Sequence, residues 1–142
     1  QLESLNLENT GITSLGILAL SQSPHLYRLK ELNLNSNDLG EKGFRILADS
    51  GNFKNLIKLR TSGVPVGDSG FQAIVRSNTL NQLEELEAMG NVITRKSLDS
   101  LVNSPILSQL KKLDLRRNKL KDADLIFLAD SPKFHNLEAL RF

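Results

Sequence analysis

A chain of 142 residues with 39% hydrophobic and 24% charged side chains has the composition of an ordinary folded domain. No apolar run reaches bilayer length, and no secretory leader opens the sequence. The absence of cysteine excludes disulfide staples, thiolate zinc sites and a cysteine nucleophile and fits a reducing, cytoplasmic setting, while a net charge of +2 leaves nucleic acid to be judged by where the charges lie.

From Leu2 onward the chain counts in steps of 27: Leu2, Leu29, Leu56, Leu83, Leu110 and Leu137 form one series, and Leu5, Leu32, Leu59, Leu86, Leu113 and Leu140 a second. No insertion or deletion interrupts either series. The units are 2–28, 29–55, 56–82, 83–109 and 110–136, with a partial sixth at 137–142. A chain that opens at Gln1 and meets a repeat one residue later reads as a piece of a longer protein.

Positions are counted from the first leucine of each unit. In the first unit, Leu5 and Leu7 alternate with polar residues, as a strand with one buried face requires. Thr10 and Ile12 follow; then Ile17 and Leu20 mark a helical face, and Ser23-Pro24 ends it. The second unit repeats this with Leu34, Asn37, Leu39, Phe44, Leu47 and Ala48, and stops at Ser50-Gly51, where glycine serves as the C-terminal cap. The third departs most: Thr61 replaces a core leucine, Val64 replaces the asparagine and Pro65 follows, so its loop is expected to be reshaped. The fourth has Ala88 at the core position but restores Asn91 and Ile93. The fifth is regular in its strand, with Leu115, Asn118 and Leu120, and has Leu125 and Leu128 on its helix. The sixth ends in its strand at Phe142. Helices are predicted over positions thirteen to twenty-one. Position fifteen is small at Gly16, Gly43, Gly70 and Ser97, which permits close packing, and Asp124 breaks that rule.

The pattern L-x-x-L-x-L-x-x-N-x-L, complete in LKELNLNSNDL from Leu29 and LKKLDLRRNKL from Leu110, resembles the leucine-rich repeat. The 27-residue unit with its own helix is similar to the ribonuclease-inhibitor-like subclass, and LADSPKFHNLEAL resembles repeats of bacterial proteins. The resemblance implies an α/β right-handed solenoid, a horseshoe arc with a parallel sheet on its concave face and helices on its convex face. It also implies a protein-binding module with no cofactor and no active site, or a target-recognition segment of a larger protein whose active domain lies elsewhere. Each unit buries its apolar side only by stacking. Apolar surface at the two ends therefore suggests end-to-end self-association.

Chemical motifs are few. Gly67-Asp68-Ser69-Gly70 has the form of a serine-protease nucleophile, but His25 and His135 lie in turns of distant repeats, so the run reads as a helix start. No Gly-Lys-Ser/Thr follows the glycines, which excludes a P-loop.

The inner face is the candidate site. Position three reads Ser4, Glu31, Lys58, Glu85, Lys112, Ala139, and position five reads Asn6, Asn33, Arg60, Glu87, Asp114, Arg141. Strands about 4.8 Å apart turn these into ladders in which charges compensate each other. Glu84, Glu85 and Glu87 cut across the basic residues, which argues against nucleic acid. A protein partner is placed on Arg60, Glu87, Met89, Asp114, Arg116 and Arg117. Met89 is read as an exposed apolar contact. Arg116 is read either as available to a partner or as paired with Asp114.

Overall fold

The computed structural model describes residues 2–142. Its elements recur at the repeat period: β1 (Ser4–Asn6), α1 (Ser14–Ser21), β2 (Glu31–Asn33), α2 (Gly40–Asp49), β3 (Lys58–Arg60), α3 (Gly67–Val75), β4 (Glu85–Glu87), α4 (Arg95–Val102), β5 (Lys112–Asp114), α5 (Asp122–Ala129) and β6 (Ala139–Arg141). The strands form one parallel sheet in chain order. Leu5, Leu32, Leu59, Leu86, Leu113 and Leu140 are mutual register partners across it. The architecture is the α/β solenoid that the repeat implies, with the sheet on the concave side and helices on the convex side.

The core runs the length of the array between sheet and helices. Leu29, Leu56, Leu83 and Leu110 are fully buried, as are Phe44, Phe71, Leu98 and Leu128 from the helices. Phe53, Leu80 and Leu107 close it from the helix-to-strand turns. α5 differs from this pattern. Leu125, at a position buried in the other helices, is exposed, while Asp124 is buried.

The asparagine at position nine does what its chemistry allows. Asn37 Oδ1 accepts from the N–H groups of Thr10 and Ile12 in the preceding coil, each at 3.1 Å, and its Nδ2 donates to the carbonyls of Leu7, Leu34 and Asn35. Asn118 repeats this toward Asn91, Ile93, Ala88 and Leu115. An apolar side chain could satisfy none of these groups. At Val64 the rung is missing, and Pro65 reshapes the loop: Val66 N–H turns back to the Val64 carbonyl at 2.7 Å.

Glycine at position fifteen has a specific reason. A Cβ on Gly16 would lie 2.3 Å from Ile12 Cγ1, and one on Gly70 would lie 2.0 Å from Val66 Cγ2. The missing side chain makes room for the position-eleven residue of the same unit. The serine at position twenty-two organises the turn after the helix, where its hydroxyl accepts from the N–H two residues on at His25, Asn52, Thr79 and Ile106. Ser77 also donates to the Ala48 carbonyl of the previous coil at 2.5 Å. Gly51 is a correction to the sequence reading. It opens a 3-10 turn, Gly51–Phe53, instead of capping α2 in a left-handed conformation. Pro132 likewise begins a 3-10 turn, Pro132–Asn136.

Candidate functional site

The strands β3 to β6 bring Arg60, Glu87, Asp114 and Arg141 into one row, because position five is in register in each. Position three supplies the neighbouring row. Lys58 Nζ lies 2.7 Å from Glu85, and Lys112 Nζ lies 2.6 Å from the other oxygen of the same carboxylate. The hydrogen bonds from Lys112 and then Lys58 hold the Glu85 carboxyl below its usual range. Arg60 Nε meets Glu87 at 3.1 Å. These rows frame a shallow depression of about 180 Å3 over β4 and β5. The compensating ladder expected from the sequence is the arrangement found.

Asp114 and Arg116 resolve the open choice at that pair. Arg116 Nε lies 3.0 and 3.1 Å from the two carboxylate oxygens and Nη2 lies 2.6 Å from Oδ2. Arg116 N–H donates to the same group at 3.1 Å. Burial pushes the Asp114 carboxyl up, and the Arg116 bonds and charge outweigh it, leaving it below the ordinary range. Arg141 adds a more distant contact at 3.7 Å. Arg116 is thus a partnered and oriented cation. Asp114 leaves Nη1 unengaged.

Met89 also differs from expectation. It is half-buried, and its N–H donates to Ser62 Oγ at 3.3 Å. It lies between Ser62 and Arg116 at position seven, so the apolar contact it offers is small. Arg117 is exposed and holds a left-handed conformation, φ 56. The turn after β5 therefore projects it from the sheet's end.

The Gly67–Gly70 run opens α3, as a helix start. Ser69 Oγ donates to Glu41 at 2.9 Å, and His135 Nδ1 lies 3.0 Å from the carbonyl of Pro132 in its own turn. No hydrogen bond joins Ser69 to either histidine among the described residues. Among those residues no group of His, Asp or Glu gathers to hold a metal ion.

One set of contacts was not anticipated. Position thirteen reaches forward to the next helix start in three successive coils. Glu41 takes Ser69, Asp68 takes Thr94 and Ser97, and Arg95 pairs with Asp124 at 3.2 Å. Arg95 also lies over the Phe127 ring, 3.7 Å from its centroid. Asp124, the exception at position fifteen, is consumed twice: it answers Arg95, and its Oδ2 accepts from the N–H of Lys121, the N-cap of α5.

A family profile described as Leucine Rich repeat matches residues 2–21, 29–45 and 108–129. The unmatched middle holds Thr61, Val64 and Ala88, where the pattern departs most. No curated protein matches the chain. Among solved structures, the tropomodulin C-terminal domain of Caenorhabditis elegans is similar, with a TM-score of 0.69 and 18% identity over 89% of this chain and 79% of that one. At that identity the likeness speaks for the fold. The repeat pattern and the profile matches resemble leucine-rich repeats, and the fold is that of a parallel-sheet repeat solenoid.

Proposed function

We propose that the chain is a non-catalytic protein-interaction module that receives a protein partner on its concave sheet, over β3 to β5. Leucine-rich repeats generally mediate protein–protein contact. The observation that carries the reading here is the oriented Asp114–Arg116 pair beside half-buried Met89. An arginine fixed by a carboxylate loses little further freedom on binding, and an adaptable methionine next to it accepts varied apolar groups. Arg60 and Glu87 form the polar rim on one side and Arg117 on the other. The ladder's alternating signs favour a partner surface of mixed charge over a phosphate backbone. The reading involves no cofactor, no membrane and a cytoplasmic setting.

The 27-residue unit with a helix in each complete coil supports assignment to the ribonuclease-inhibitor-like subclass. The proposal of a bacterial source rests on the LADSPKFHNLEAL segment. A target-recognition segment of a larger signalling or enzyme protein would use the same face. The full reading frame on either side distinguishes the two.

The test is affinity capture with the chain as bait, followed by binding measurements on the retained protein. Met89→Ala and Arg116→Ala should each weaken binding, and Gln72→Ala on the convex helix α3 should leave it unchanged. Weakening by the convex change alone would move the site to the outer surface.

A further inference from the structure

Position two carries a second ladder, at the edge where the chain enters the sheet. It reads Glu3, Lys30, Ile57, Glu84, Lys111, Glu138. Glu3 and Lys30 pair at 3.0 Å, and Glu84 and Lys111 pair at 2.8 Å. Ile57 stands between the two pairs. Its N–H donates to the Lys30 carbonyl at 2.8 Å and its carbonyl accepts from Glu84 N–H at 2.9 Å. A charged side chain here would repeat the sign of one neighbour, Lys30 or Glu84, both of which are already paired. The isoleucine instead leaves 38% of its surface in water.

A lone exposed aliphatic side chain is ordinary, but Ile57 has company. Tyr27, in the turn that leads to β2, is 41% exposed. Asn55 Nδ2 donates to the Tyr27 carbonyl at 2.7 Å and ties the two turns together. The Arg28 guanidinium lies 6.0 Å from the Tyr27 ring centroid. A depression of about 360 Å3 is lined by Glu3, Arg28, Lys30, Asn55, Ile57 and Gln82. Within it, Glu3 already answers Lys30. Arg28 forms no ion pair among the described residues. The depression therefore combines an apolar wall, two side-chain amides and an excess of one cation, since Arg28 and Lys30 share the single carboxylate of Glu3, which Lys30 holds directly.

That chemistry is complementary to a carboxylate set beside an apolar side chain. We propose that this depression docks an acidic peptide segment of a partner protein, its carboxylate on Arg28 and its adjoining apolar side chain on Ile57. The amides of Asn55 and Gln82 are placed to bond the peptide's main chain. This surface differs in repeat position from the Met89–Arg116 region, so it stands or falls separately from the concave-face reading.

The experiment is a two-dimensional amide NMR titration of the chain with acetyl-Asp-Leu-amide at millimolar concentration, against acetyl-Lys-Leu-amide. The acidic peptide should shift the amides of Arg28, Asn55 and Ile57, and the basic one should not. Ile57→Ser, which removes the apolar contact without adding a charge, and Arg28→Gln, at an exposed site, should each weaken the acidic peptide several-fold while the spectra stay dispersed. Equal shifts from both peptides, unchanged binding by both variants, shifts centred on Met89 and Arg116, or no shifts at all would overturn the proposal.

Discussion

Asp68 caps the helix of the next coil through Thr94. Its carboxylate accepts from Thr94 N–H at 2.8 Å and from Thr94 Oγ1 at 2.6 Å, and Ser97 Oγ adds a third bond at 2.5 Å. Thr94 in turn accepts from Lys96 N–H and so passes the cap into α4. Charge-assisted bonds to a helix start contribute more than neutral ones. Asp68→Ala should cost about 1–2 kcal/mol. Urea denaturation measures it, and an unchanged midpoint would contradict the cap.

Acid should loosen the array in a defined window. Burial pushes the Asp68 carboxyl up from its ordinary 3.8, but the bonds from Ser97 and Thr94 win and leave it lowered. Glu85 and Asp114 are lowered too. A carboxyl whose folded value lies below its unfolded one stabilises the fold above the unfolded value. That contribution disappears as pH falls through the folded value. Thermal melts between about pH 5 and about pH 2 should show this loss. In Asp68→Asn the slope below about pH 4 should be shallower. An identical slope would remove Asp68 from the account.

Leu113 is packed between Leu86 and Leu140 in the sheet and is 2% exposed. Leu113→Ala removes buried volume from a continuous core and should cost about 2–5 kcal/mol in a denaturant melt. A near-neutral result would place Leu113 outside the core.

Asn37 tests the asparagine rung. Its truncation in Asn37→Ala leaves Thr10 N–H, Ile12 N–H and the Leu7 and Leu34 carbonyls without their partner. The expected cost is about 2–4 kcal/mol, since several polar groups lose satisfaction at once. Hydrogen exchange should accelerate first at Thr10 and Ile12. Exchange unchanged there would mean the rung contributes little.

The flanks of the array carry apolar surface. Leu15 and Leu18 are exposed on α1, and Leu125 and Ile126 on α5. For Leu15, Leu18 and Ile126 the corresponding positions on the middle helices include Lys42, Arg45, Gln72 and Asp99, while Leu125 shares the apolar position of Phe44, Phe71 and Leu98. Self-association that rises with concentration is expected in sedimentation, and Leu15→Glu with Ile126→Glu should suppress it. A strictly monomeric chain at every concentration would show that these flanks are tolerated in water.

Strands and helices were legible because a fixed period places like residues in like surroundings, so one well-formed copy such as Leu110 to Leu120 explains the rest. The reshaped loop at Val64-Pro65 was legible for the same reason, as a departure from a rule. The Asp114–Arg116 bond remained open because ladder reasoning compares residues across strands, whereas this pair shares one strand face two residues apart. Met89 was read as exposed because its position points away from the core, yet it is half-buried in the folded chain. The forward contacts of Glu41, Asp68 and Arg95 escaped notice because they join different repeat positions. Their signal is a separation of 26 to 29 residues between Asp68 and its partners, visible only once the coil pitch is known.

Those forward contacts also give the coils an order. Asp68 fits a successor that offers two hydroxyls, and Arg95 fits one that offers a carboxylate. Splicing the third coil directly onto the fifth would keep every leucine in register but replace the hydroxyls of Thr94 and Ser97 with Lys121 and the acid Asp124. The leucines alone would accept any sequence of coils. The helix starts act as an address system, and reshuffled versions of this array would stack yet mismatch at each wrongly joined seam.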